Sequence, residues 1–141
     1  MKIKFYYDEV KFRIKESART KKFIEKVIRN EKLIPGDLNF IFTNDMFLRE
    51  INREFMNHDY FTDVIAFNYN VFKKINGEIY ISVGRIKQNA LNYNVSFKEE
   101  IMRVMLHGVL HLCGYEDGII EKKDQMSRKE NDLLKSYFGE K

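Results

Sequence analysis

Two histidines stand four residues apart in the stretch Val104-Met-Leu-His-Gly-Val-Leu-His-Leu-Cys-Gly-Tyr-Glu-Asp117. On an α-helix this spacing brings His107 and His111 to nearly the same side, roughly 40° apart around the axis. Imidazoles stacked in this way can share one metal ion. Gly114 can adopt the left-handed conformation that ends helices, and the chain reversal lets Asp117 swing back as a third ligand. Three protein ligands with a fourth position open are the arrangement of catalytic zinc rather than of closed structural zinc. Glu116 is the poorer third ligand on reach. Cys113 lies on a different helix face from His111 and reads as a small buried hydrophobe. Zinc, one ion per chain, is the first choice for imidazole and carboxylate donors.

A hydrogen-bonded structural pair of core histidines is the competing reading. The helix stop and the carboxylates that follow it favour the metal. Gly108 then narrows the chemistry. Zinc proteases written His-Glu-x-x-His carry their general base in that slot, and here it is a glycine. The remaining mechanism is a water activated by the ion, attacking an electrophile that the same ion polarises. In a basic protein a phosphodiester is the natural electrophile.

The elements around this stretch follow from its periodicity. Ser96-Phe-Lys-Glu99 has capping-box spacing and starts the helix that carries both histidines. Ile101, Val104, Met105, Val109, Leu110 and Leu112 make that helix apolar on more than one face, which predicts a central, buried position. Upstream, residues 2–7 and 10–14 read as short extended pieces. An amphipathic helix runs from Ser17 towards Leu33, with Phe23, Ile24, Val27 and Ile28 on its apolar stripe. Pro35-Gly36 ends it, and 38–42 is a strand. Thr43 or Asn44 caps a helix with Phe47, Leu48, Ile51 and Phe55 at helical spacing. A polar loop over 57–63 leads to a strand at 64–67. Asn76-Gly77 is a reverse-turn signal before a strand at 78–83, which together predict a hairpin with an irregular outer section. Helices at about 85–93 and 120–137 complete an α+β fold. We expect one domain over 1–141, with about four strands in a mixed sheet and about five helices packed over it.

The 141 residues suffice for one core and not for two. A hydrophobic fraction of 44% and an aromatic fraction of 14% describe a globular chain rather than a disordered one. No apolar run is long enough to span a bilayer, and Met1-Lys-Ile-Lys-Phe-Tyr-Tyr-Asp8 lacks the apolar core of a signal peptide. The single cysteine excludes an internal disulfide framework and agrees with a reducing compartment. A cytoplasmic protein without membrane contact is the expectation. Net charge is +4, and residues 1–37 alone hold eleven Lys/Arg against six Asp/Glu. A basic first third suits a polyanion such as RNA, although a solvated helix face has the same composition.

His107-Gly-Val-Leu-His111-Leu-Cys-Gly114-Tyr resembles the signature of the bacterial YbeY endoribonucleases, His-Gly-x-Leu-His-Leu-x-Gly-Tyr-Asp-His. Two further blocks match in order. Asn52 and Thr62-Asp63-Val64-Ile65-Ala66-Phe67 resemble the family's Asn and Thr-Asp-Val-Leu-Ser-Phe, and Gly77-Glu78-Ile79-Tyr80-Ile81 its Gly-Asp-Ile-x-Ile strand. The resemblance implies a metal-dependent hydrolase of RNA that acts in maturation of the small-subunit ribosomal RNA near its 3′ end and in ribosome quality control. Its partners would be ribosomal RNA and the small ribosomal subunit, and not DNA. Thr62 and Asp63 would line the site, or form the turn that starts the strand. Two positions depart from the pattern. The family's third histidine falls at Asp117, which keeps three ligands but makes the site more negative. Its phosphate-holding arginine falls at Met56, which cannot do that work, so Arg53, His58 and Arg85 become the candidate replacements. An RNA-binding assembly factor with a mainly structural metal, and a metal hydrolase of another bond, are the alternatives.

Overall fold

The computed structural model describes residues 2–139. Four strands and five helices occur among them, as the periodicity predicts, and the sheet is mixed. In chain order they are β1 (Lys2–Tyr7), α1 (Ser17–Asn30), β2 (Ile34–Thr43), α2 (Asp45–Met56), β3 (Val64–Asn68), β4 (Lys74–Ser82), α3 (Val83–Tyr93), α4 (Phe97–Leu112) and α5 (Ile120–Phe138). The sheet order is β1-β2-β4-β3. The β1/β2 and β2/β4 pairs are parallel and β3 runs antiparallel to β4.

Strand alternation decides which side of the sheet holds the core. Leu38, Phe40 and Phe42 of β2 and Ile75, Ile79 and Ile81 of β4 turn to one face, where α1 and α4 cover them and α5 packs in turn on α4. Their neighbours turn to the other. There Ile65 and Phe67 of β3 and Tyr80 of β4 meet Leu48 and Ile51 of α2 in a smaller cluster. Helix α4 is the centre of the larger core, with ten of its residues buried, among them Met105, Leu106, Val109 and Leu110. Its start follows the capping signal, since Ser96 Oγ accepts from Glu99 N at 3.0 Å. Asn44 likewise caps α2, accepting from Phe47 N at 2.8 Å.

Three local expectations need correction. Residues 10–14 are not a strand. They run irregularly, with Val10, Phe12 and Ile14 packed on the core and Phe12 against Phe42 and Phe97, so an alternating pattern serves a covering segment instead. Phe12 and Ile14 also wall an apolar cavity of about 460 Å³ against Phe97, Met102 and Tyr137, with no histidine in its lining. Pro35-Gly36 does not end α1, which stops at Asn30. The pair sits inside β2 at a register irregularity before Leu38, the kind of position where a strand tolerates proline. Asn76-Gly77 is not the turn. Both residues lie within β4, and the chain reverses earlier, where Val71 bridges Lys74 and Phe72 takes a φ of 55°. Gly77 is required for another reason. A Cβ there would come within 2.5 Å of the Phe67 carbonyl and 2.9 Å of the Leu112 side chain. The glycine marks close packing of the end of α4 onto the strand pair.

No helix among the described residues is long and apolar enough to cross a membrane.

Candidate metal centre

Helix α4 ends in a way that builds the site. Gly114 has a φ of 105°, its N–H donates to the His111 carbonyl at 3.0 Å, and Tyr115 N–H donates to the Leu110 carbonyl at 2.9 Å. This pair of bonds is the Schellman closure, and it turns the chain back over the last helical turn. The reversal places the Tyr115 carbonyl 3.1 Å from His111 Nδ1. A carbonyl only accepts, so the proton of neutral His111 sits on Nδ1 and Nε2 is left bare. His107 is arranged in the same sense by a different partner: its Nδ1 lies 2.5 Å from Glu130 Oε2 of α5.

The two bare nitrogens converge. His107 Nε2 and His111 Nε2 are 3.0 Å apart, and Asp117 Oδ2 is 3.4 Å from each. Tetrahedral zinc with nitrogen and oxygen ligands at about 2.0–2.2 Å separates its donors by about 3.3–3.5 Å. The triangle therefore has the dimensions of one face of such a site. Three electron-pair donors facing one another repel unless a proton or a cation lies between them. The donor set fits a single divalent ion, and the described residues contain this one group of three or more ligating side chains within reach of a common point. The imidazoles are partly covered and Asp117 is more open, at 25%, 32% and 42% side-chain exposure, so one side of the site faces solvent.

That side is a cleft of about 500 Å³ between α4, β3 and the 57–63 loop. Thr62 and Asp63 line it, together with Asn52, Met56, His58 and Tyr60. Asn52 is buried and its amide donates to the Tyr60 carbonyl at 3.1 Å, which ties α2 to the loop. Burial pushes the Asp63 carboxyl above the usual carboxylate range, against the opposing charge of His107 and a hydrogen bond from Asn89 at 3.0 Å. For His107, burial works downwards. The Glu130 hydrogen bond and the charges of Glu130, Asp117 and Asp63 outweigh it and hold the imidazole above its usual value.

The structure distributes the candidate phosphate groups unevenly. His58 is in the cleft wall, its ring stacked on Tyr60 at 5.2 Å between centroids and its Nδ1 3.0 Å from the Tyr60 hydroxyl. Arg85 lies outside the lining. Its guanidinium donates to Asp45 Oδ2 at 2.9 Å and rests over the Phe61 ring at 5.1 Å. Arg53 is exposed in the last turn of α2, also outside the lining. Met56 does line the cleft, which holds no lysine or arginine among its described residues.

Gly108 also finds its cause here. A Cβ at this position would lie 2.8 Å from Ile79 Cγ2, so α4 rests on β4 through the glycine. The protease glutamate has no room in this slot. Glu130 was missed by sequence reading, although a signal existed. It falls on the buried stripe Met126, Glu130, Leu134, Tyr137 of α5, a charged residue at a core-facing position.

Fold and site together define a class: an α+β enzyme scaffold that presents a helix-borne His-x-x-x-His pair and a carboxylate from the following turn to an open cleft. The family model described as endoribonuclease YbeY matches residues 3–138. A protein named endoribonuclease YbeY from Flavobacterium psychrophilum is 43% identical over 135 residues, covering 96% of each chain. One of the same name from Flavobacterium johnsoniae is 39% identical over 138 residues, 98% of this chain and 99% of the other. Among solved structures, the solution structure of a Thermotoga maritima protein matches with a TM-score of 0.67 at 27% identity, covering 98% of this chain and 90% of that one. The chain belongs to the endoribonuclease YbeY family.

Proposed function

We propose that this protein is a zinc-dependent endoribonuclease acting on ribosomal RNA of the small subunit, in 3′-end maturation and ribosome quality control in the cytoplasm. The observation that carries the reading is the convergence of His107 Nε2, His111 Nε2 and Asp117 Oδ2 on one point in the cleft of a chain from this family. These three atoms would hold the ion. When bound, zinc supplies Lewis acidity, which makes a water nucleophilic near neutral pH and polarises a phosphoryl oxygen. The remaining work belongs to the chain. Glu130 and the Tyr115 carbonyl hold the two imidazoles in the ligating tautomer. Asp63, raised by burial, is suited to taking up and returning a proton in the cleft. His58 and Tyr60 line the same cleft and would meet the substrate there.

A second reading has its own observation. Met56 stands in a cleft lining without lysine or arginine among the described residues, which favours an RNA-binding assembly factor whose metal is structural. Metal analysis of the purified protein, paired with cleavage of a small-subunit rRNA fragment by wild type and Asp117→Ala, separates the two. The nuclease reading expects stoichiometric zinc, cutting by wild type, and loss of both metal and cutting in the variant. Stoichiometric zinc with no cleavage above a mock preparation would overturn it in favour of the assembly factor. Full metal occupancy in Asp117→Ala would remove Asp117 from the ligand set.

A further inference from the structure

We propose that Glu130 is a positioning residue for the metal centre, setting the tautomer and ring direction of His107, and that Arg103 holds Glu130 in place for that task. The proposal rests on the metal reading above.

A carboxylate on the inward stripe of a helix is unfavourable unless its oxygens are partnered. Both Glu130 oxygens are. Oε2 accepts a hydrogen bond from His107 Nδ1–H at 2.5 Å, and Oε1 lies 3.5 Å from Arg103 Nη1. Arg103 is itself fixed: the same Nη1 donates to Asn131 Oδ1 at 2.9 Å, and its Nε lies 3.7 Å from the buried Glu100. The strap crosses from α4 to α5 one helical turn from the ligand it serves. At His111 the same duty falls to a backbone carbonyl, which the helix end places automatically. At His107 only a side chain from another helix provides it, so α5 acts on the metal from outside the ligand motif. A carboxylate also makes imidazole a stronger electron-pair donor than a carbonyl does. A rival role exists, in which Glu130 merely pairs with Arg103 in the α4–α5 interface and leaves the metal untouched.

Titration of metal-free protein with cobalt(II), followed by its visible absorption and then by zinc competition, distinguishes these roles. Glu130→Ala should bind roughly 10–100-fold more weakly with an altered band, while Glu130→Gln, which keeps shape and an acceptor oxygen, should fall in between. Arg103→Gln should weaken binding in the same direction. Circular dichroism of the metal-free proteins monitors folding, and if Glu130→Ala does not fold, Glu130→Gln decides alone. Variants with the wild-type spectrum and an affinity change of less than about twofold would overturn the positioning role. If the wild type binds cobalt and cleaves RNA in that case, the positioning role alone fails. If the wild type binds no cobalt, the metal reading fails first and takes this proposal with it.

Discussion

At the scale of single residues, the site is governed by what sits behind the ligands. His107 is held above its usual value of 6.5 despite burial, because Glu130, Asp117 and Asp63 favour its charged form. A raised folded value gives metal-free protein a stabilising contribution that is complete below the unfolded value and disappears as pH rises through the folded one. An ion bound through His107 Nε2 must displace that proton wherever it is present. Binding of the proposed zinc below the raised value should therefore release protons, and apparent affinity should climb as pH rises through that value. Calorimetric heats in buffers of different ionisation enthalpy measure this directly. Heats independent of buffer would contradict it. Cys113, two residues beyond His111, takes no part: burial pushes its thiol up to about 12, as befits a packing residue. The His107, His111 and Asp117 grouping was legible from spacing and a helix stop. Glu130 was not, because its partner lies 23 positions away and only docking of α5 brings them together.

At the scale of elements, Gly114 ends its helix as its type suggests, whereas Gly77 and Gly108 mark close packing and not turns. Gly77 and Gly108 both lie under the contact between α4 and the sheet. Gly108→Ala gains about 1 kcal/mol of helix propensity. It also forces Ile79, branched at Cβ and unable to swing its Cγ2 away, to shift with its strand, at about 1–3 kcal/mol. A net loss of roughly 1 kcal/mol should lower the urea midpoint with an unchanged m-value. A midpoint at or above wild type would show that α4 can lift without cost. The helices were legible because their apolar stripes are long and their caps, Asn44 and Ser96, are strong. The β3–β4 reversal was not, because an exposed phenylalanine, Phe72, occupies the positive-φ position where asparagine or glycine would have announced it.

At the scale of the whole molecule, charge and chemistry are separated. The basic excess of the first third is carried by exposed side chains such as Lys2 and Lys4 on β1 and Lys22, Lys26 and Arg29 on α1. The cleft lining has no lysine or arginine among its described residues. If the basic surface meets the RNA backbone, Lys22→Gln, Lys26→Gln and Arg29→Gln together should flatten the slope of log affinity against log salt by about 0.7 per lost phosphate contact. An unchanged slope would leave those charges as a solvated face. Composition revealed the excess but not its position relative to the metal, which depends on how α1 and α4 are laid across one sheet.

Helix α4 is at once the spine of the core and the carrier of His107 and His111, two of the three side chains that would hold the ion. Binding at its end and packing along its length are then one equilibrium, since an ion that binds only the folded chain at a thousand times its Kd adds about 4 kcal/mol to stability. If that ion is the proposed zinc, core substitutions that cost less than this are masked while the metal is bound and unfold the chain when it is withdrawn. Metal supply would thus act as a capacitor for variation in this protein, setting how far its interior can drift between generations.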